Sequence, residues 1–122
     1  MNTAMIMLGS NTNPLINMEL AVSKLVIYFK IISESLPVIT EPYGDQFSFD
    51  FHNVAIKLRT NKTQENTTAI FKSIEIEMGR KLDSKLTGLI PMDIDLIFWN
   101  NNLVHKDYTR YEYVRNCINE IK

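Results

Sequence analysis

With a single cysteine, Cys117, the 122-residue chain can form no intrachain disulfide and no thiolate metal cluster. A lone cysteine in an apolar C-terminal stretch is expected to be a small buried side chain rather than a nucleophile. An excess of one charge is missing as well. Thirteen Lys and Arg against fourteen Asp and Glu give a net charge of −1, so nothing draws the chain as a whole to nucleic acid or to an anionic membrane. A phosphate-bearing ligand would therefore need local cations or metal ions. No window approaches the ~20 apolar residues of a membrane span. The N-terminal run from Ala4 to Leu8 is too short for a signal sequence and has no cationic flank. Asn61-Lys62-Thr63 and Asn66-Thr67-Thr68 are sequons, but without an export signal they are only polar sequence, and the expected compartment is the cytoplasm. Repeats and low-complexity segments are absent.

What remains is ordinary globular material, 45% hydrophobic and 22% charged. A chain of this length has room for one core, so residues 1–122 are expected to form a single domain. Ala4 to Leu8, stopped by Gly9-Ser10-Asn11, reads as a buried strand meeting a turn. Asn13 and Pro14 mark a helix start, and Leu15, Met18, Val22, Leu25 and Phe29 give that helix an apolar face. Residues 30–39 predict an irregular strand and residues 41–50 a loop. From Phe51 to Leu58 the chain alternates, with Phe51, Asn53, Ala55 and Lys57 on one side and Val54, Ile56 and Leu58 on the other. Thr63 to Met78 predicts a second helix, with Ile70, Phe71, Ile74 and Met78 inward and Gly79 as its stop. Met92 to Trp99 is a strand, the three asparagines 100–102 a turn, Leu103-Val104 a short return strand, and Tyr113 to Ile121 a terminal helix. The order β-α-β-β-α-β predicts an α+β fold. It would be a ferredoxin-like antiparallel sheet with helices packed on one face, plus a short C-terminal hairpin and helix.

Two aspartates in the predicted strand carry the first chemical signal. Asp93 and Asp95 are two apart, so they share a strand face about 6.6 Å apart along the chain. Carboxylates so placed are able to grip a pair of divalent ions about 3.5–4 Å apart, and magnesium prefers such oxygen donors and completes its shell with phosphates and water. The plain alternative is a solvated strand face. Aspartate is disfavoured in strands, and the same face is expected to continue into Ile97 and Trp99, toward a covered core.

The segment from Thr40 to Asn53 contains Thr-x-Pro-x-Gly-x-Gln, then an aromatic residue and, two residues later, an asparagine. With Leu8-Gly9-Ser10-Asn11, Ile74-Glu75, Gly79-Arg80 and Asp93-Ile94-Asp95-Leu96 in the same order, this resembles the 6-hydroxymethyl-7,8-dihydropterin pyrophosphokinases over roughly residues 4 to 105. The resemblance implies transfer of a diphosphate from ATP to a pterin alcohol. It implies that Phe51 stacks on the pterin and Asn53 bonds its edge, with Thr40 and Tyr43 closing the pocket. It also implies that Asp93 and Asp95 hold two Mg2+, that Arg80 lies by the triphosphate, and that Glu75, Arg80, Leu96 and Arg115 lie on the nucleotide side. Asp93, Asp95 and Arg80 would then be the catalytic group.

The chemistry of these residues is consistent with that implication. A flat heteroaromatic with an amide-like edge wants a ring and a side-chain amide together. Taken alone, Phe51 is as well explained by core packing, Arg80 by a helix C-terminal cation, and Glu75 by an exposed helix position. His52 is expected on the opposite strand face and His105 in a solvated hairpin.

The sequence departs from the family pattern between Gly79 and Asp93. Leu82, Thr87 and Ile90 stand where arginines and a tryptophan are usual, and Lys81 and Lys85 do not reproduce a bidentate arginine clamp. The usual histidine position falls near Thr109 and a second aromatic position near Cys117; Arg110 is a further cation nearby. Two alternatives therefore stand beside an active enzyme: a degenerate relative that binds pterin or nucleotide without turnover, and a ferredoxin-like nucleic-acid binder. The second would want a basic stripe that this composition lacks. The expected partners are small molecules, pterin and ATP, with no nucleic acid and no membrane; the sequence specifies no oligomeric state.

Overall fold

The computed structural model describes residues 1–42, 49–80 and 88–122. Tyr43, Gly44, Gln46, Lys81, Leu82, Lys85 and Thr87 lie outside the described residues.

Strand β1 (Asn2–Ser10) pairs antiparallel with β4 (Phe51–Thr60) along its full length, from Asn2 opposite Thr60 to Ser10 opposite His52. Its run of apolar residues is continuous because both faces are covered: Ala4 through Leu8 are all buried. On its other side β1 pairs with β5 (Asp93–Trp99), which carries the two-residue strand β6 (Asn102–Leu103) at the sheet edge. The predicted irregular strand over 30–39 is two strands, β2 (Lys30–Glu34) and β3 (Val38–Thr40), both paired to β4. Ser35 makes the step between them. Its N–H donates to Ala55 O at 2.9 Å, and its Oγ accepts the Ala55 N–H at 2.8 Å. The order β2-β4-β1-β5-β6, antiparallel throughout, contains the ferredoxin-like sheet expected from the sequence.

The two crossover helices, α1 (Pro14–Tyr28) and α2 (Gln64–Glu77), pack on one face. Ala21 and Leu25 of α1, Phe29, and Phe71 and Ile74 of α2 meet Ala4, Ile6, Leu8, Ile56 and Leu58 there. Thr63 caps α2 by accepting the Asn66 N–H at 3.1 Å. The start of α1 differs from expectation. Asn13 makes no side-chain cap bond; it supplies a left-handed backbone at φ 42°, which asparagine tolerates, and Asn17 bonds Thr12 O at 2.6 Å instead. Leu15, expected on the inward face, is 74% exposed, because the stripe that meets the sheet begins one turn later at Met18.

A short helix α3 (Asp107–Arg110) leads into α4 (Glu112–Ile121), which covers the opposite sheet face. Val114, Cys117, Ile118 and Ile121 pack there on Met5, Met7, Ala55 and Ile97. Cys117 is buried as expected, and that burial pushes its thiol pKa up, away from a reactive thiolate.

One irregularity sets what β5 shows to each side. The β1–β5 register slips between Met5 and Ile6, so Leu96 faces Ile6 and Phe98 faces Met5, with Ile97 as the extra residue. Such a bulge reverses the alternation beyond it. Asp93, Asp95 and Ile97 lie on the α4 side, but Trp99 turns into the α1/α2 core, contrary to the expected continuation of the aspartate face. Asn100 and Asn101, both left-handed at φ 50° and 72°, close the hairpin into β6.

The Ser10-Asn11 pair does more than end β1. Buried Asn11 donates from Nδ2 to Gly88 O at 2.7 Å and accepts the Ile90 N–H on Oδ1 at 2.7 Å, while its own N–H donates to Ile90 O at 3.1 Å. This amide clamp fixes the lead into β5. Asn11→Ala is expected to cost about 1–3 kcal/mol by stripping partners from buried backbone groups. Ile118→Ala should cost about 2–5 kcal/mol, and Leu15→Ala less than about 0.5 kcal/mol; urea unfolding of the three variants checks the order.

Candidate active site

β4 and β5 flank β1 and present Asn53, Asp93 and Asp95 to the α4 side at one end of the sheet. Gly9 of β1 lies between Asn53 and Asp93 in register. A Cβ at position 9 would stand 3.4 Å from Asn53 Oδ1 and 3.9 Å from the Phe51 ring, so the glycine leaves space that a side chain would enter. Thr40 comes in from β3, opposite Phe51. The Asn53 amide donates from Nδ2 to Val38 O and to Thr40 Oγ1, each at 3.0 Å, which holds β3 in place and leaves Oδ1 on the Gly9 side. These residues line a cavity of ≈ 350 Å³ whose wall is completed by Ile97, His105 and Tyr111.

The end of α2 delivers the cation. Gly79, at φ 99°, lets the chain turn back: its N–H donates to Ile76 O and the Arg80 N–H to Glu75 O, each at 3.0 Å. This Schellman ending swings Arg80 over the sheet. Its Nη1 donates to Asp93 Oδ1 at 2.5 Å and to Glu75 Oε2 at 3.3 Å. Burial opposes the guanidinium charge, but the bond to Asp93 and the charges of Asp93, Glu75 and Asp95 outweigh it, raising the Arg80 pKa. Glu75 is not an ordinary exposed helix residue: its side chain is 12% exposed and accepts the Ile94 N–H at 2.7 Å. Burial raises its pKa, with Asp93 adding to the effect and the Ile94 bond, Arg80 and Lys72 opposing it.

A second cavity, of ≈ 570 Å³, runs along α2. Glu75 and Leu96 line it, and with Glu75 come Gln64, Thr68 and Lys72, one α2 stripe spaced by four, four and three residues. Arg80, Asp93, Asp95 and His105 line both cavities. Asp95 sits at this junction. Burial, then the charge and hydrogen bond of Asp93, then Asp107 and Glu75, push its carboxyl up to about 9. Asp93, Asp95 and Asp107 gather hard oxygen donors at this junction. The residues present therefore fit a divalent cation of the magnesium type.

The structure thus brings Thr40, Phe51, Asn53, Glu75, Arg80, Asp93, Asp95 and Leu96 to two adjoining cavities. Tyr43 falls outside the described residues. Arg115 is placed elsewhere, donating to Tyr108 O and Thr109 O at 3.0 and 2.9 Å, and lines neither cavity. His105 had been expected in solvent; the β6 turn instead folds it over Asp95. Asp107, Tyr111 and Tyr113 arrive with it. The alternation of His105 and Asp107 was the one signal that could have shown this.

A family model for 7,8-dihydro-6-hydroxymethylpterin-pyrophosphokinase (HPPK) matches residues 5–122. Among solved structures, a triple mutant of the Plasmodium falciparum HPPK-DHPS protein with SDX-DHP is similar at 17% identity and a TM-score of 0.64, covering 99% of this chain and 36% of that one. The wild-type HPPK-DHPS of the same organism with pteroate gives 15% identity and a TM-score of 0.61, again covering 99% and 36%. At these identities the likeness is one of fold, and the chain spans about a third of the length of those relatives. The match over residues 5–122, on a sheet that sets Asn53 and the Asp93–Asp95 pair around one opening, makes this chain a member of the HPPK family.

Proposed function

We propose that the chain transfers a diphosphate from ATP to the hydroxymethyl group of 6-hydroxymethyl-7,8-dihydropterin. The observation that carries this reading is the shared wall: Arg80, Asp93, Asp95 and His105 belong to both cavities. A transferase with two substrates needs an acceptor pocket and a donor pocket that meet at the groups handling the transferred charge.

The smaller cavity suits the pterin. Phe51 offers a stacking face, worth about 1–3 kcal/mol for a flat heterocycle by analogy with nucleobases, and Tyr111 and Tyr113 add aromatic surface. Asn53 spends its amide donor on β3, so its Oδ1 is the group left to accept an N–H from the pterin edge. The cavity along α2 suits ATP, with Lys72 and Arg80 as its cations and Leu96 as apolar wall.

Asp93 and Asp95 would hold two Mg2+, which when bound neutralise phosphate charge and orient the attacking oxygen. Arg80, tied to Asp93 and Glu75, is positioned to offset charge on the transferred group. The pterin hydroxyl oxygen forms a bond to the β-phosphorus as the bond from that phosphorus to the α-side bridging oxygen breaks. AMP leaves and the hydroxyl proton is released.

Titration with the pterin and with ATP-Mg, followed by an AMP assay, tests this. Asp95→Asn should lower AMP formation by about 100-fold or more. Phe51→Ala should weaken pterin binding by about 1–3 kcal/mol with ATP binding retained. Pterin binding without AMP release would point to a relative that binds without turnover, and absence of binding by either substrate would overturn the proposal.

Gly9→Val provides a separate check. Its branches would extend from a Cβ already in contact with Asn53 Oδ1 and Phe51. The thermal transition should persist while pterin affinity falls at least about tenfold (~1.4 kcal/mol).

A further inference from the structure

Asp95 has a second set of neighbours that the two-aspartate reading leaves unused. The hairpin through β6 brings His105 Nε2 to 3.8 Å from Asp95 Oδ1 and His105 Nδ1 to 3.7 Å from Asp107 Oδ2. Both separations exceed hydrogen-bond length, so the imidazole sits between two carboxylates without bonding either. One ligand atom from each of Asp95, His105 and Asp107 lies within 4.8 Å of the others, and all three side chains are half-buried. Donor atoms bound at about 2.0–2.2 Å to one ion stand about 3–4 Å apart, the separation that His105 Nε2 and Asp95 Oδ1 already have. The ring is also oriented rather than loose, since Nδ1 accepts the Asp107 backbone N–H at 3.1 Å. His105 and Asp95 line both cavities and Asp107 the smaller one, so ligand positions facing the cavities stay open to water or substrate oxygen.

We propose that Asp95, His105 and Asp107 form a binding site for a first-row transition cation of the Mn2+ to Zn2+ class. It would be distinct in its nitrogen donor from the oxygen-only site of Asp93 and Asp95. Imidazole is a good ligand for this class and a poor one for Mg2+, while the two carboxylates supply charge. Binding through Nε2 requires the ring's single proton on Nδ1, so the bond that Nδ1 accepts from the Asp107 N–H in the ion-free protein would be given up when the ion binds. The proposal rests on the reading of Asp95 as a cation ligand, but not on which substrates the cavities take.

The test uses the intact chain with Mn2+ alone, no nucleotide and no pterin. Electron paramagnetic resonance measures binding, and spin-echo modulation shows whether a nitrogen is bonded to the ion. The expected result is a directly bound 14N in the wild type that is lost in His105→Gln, with Mn2+ affinity at least about tenfold weaker in that variant. Asp107→Asn should also weaken Mn2+, and circular dichroism confirms that both variants fold. His52, the other histidine, lies outside both cavities, so His52→Gln should leave the nitrogen signal in place.

Absence of Mn2+ binding, Mn2+ bound without nitrogen coupling, or coupling that survives in His105→Gln would each overturn the proposal. A nitrogen-coupled ion in a protein that releases no AMP would sink the pyrophosphokinase reading alone. AMP release with Mg2+ and no nitrogen coupling would sink this one alone.

Discussion

Crowding of negative charge at one end of the sheet is the constraint on which the site depends. Glu75, Asp93, Asp95 and Asp107 converge there, and Arg80 is bonded to only two of them, Asp93 and Glu75. The bonds are structural as well as electrostatic. Glu75 accepts the Ile94 N–H, so the end of α2 is tied to the backbone of β5 beside both aspartates. Asp95 lies deeper, and burial, then the charge and hydrogen bond of Asp93, make its carboxyl resist ionisation. The fold holds these groups together through the rest of its core, and a bound cation would favour the ionised form of Asp95.

The scaffold that imposes this is economical. Clamped by Asn11, the segment entering β5 has little freedom, so Asp93 starts its strand at a fixed height. The bulge at Ile97 lets β5 serve two masters: acidic residues and Ile97 face α4, while Trp99 joins the core beneath α1 and α2. Without the extra residue, the indole would have to lie on the α4 face beside Met5, or Asp93 and Asp95 in the apolar core. Ser35 does similar work at the other edge, splitting one strand so that β3 and Thr40 reach the mouth of the smaller cavity.

Much of this was legible in the sequence because period governs it. The alternation of β4 put Phe51 and Asn53 on one face, and the three-and-four spacing of α2 put Phe71 and Ile74 inward. Contacts between distant segments were not legible. A one-residue bulge has no sequence mark, so Trp99 was placed on the wrong face. Asn13 looked like a side-chain cap because the residue type fits both that role and a left-handed backbone. His105 looked solvated because only the closed β6 hairpin, paired to β5, carries it over Asp95. Glu75 reads as an exposed helix position because nothing in the sequence marks the cavity that it lines with Gln64, Thr68 and Lys72.

The account's central claim is spatial: two ligands approach one acidic junction from two cavities. A crystal structure of the chain with a non-hydrolysable ATP analogue, Mg2+ and the pterin tests it most directly. The account predicts the pterin ring against Phe51 with its edge at Asn53, the nucleotide along α2, and the polyphosphate meeting cations on Asp93 and Asp95 between them. Both ligands sharing one cavity, or a polyphosphate bound away from the two aspartates, would contradict it.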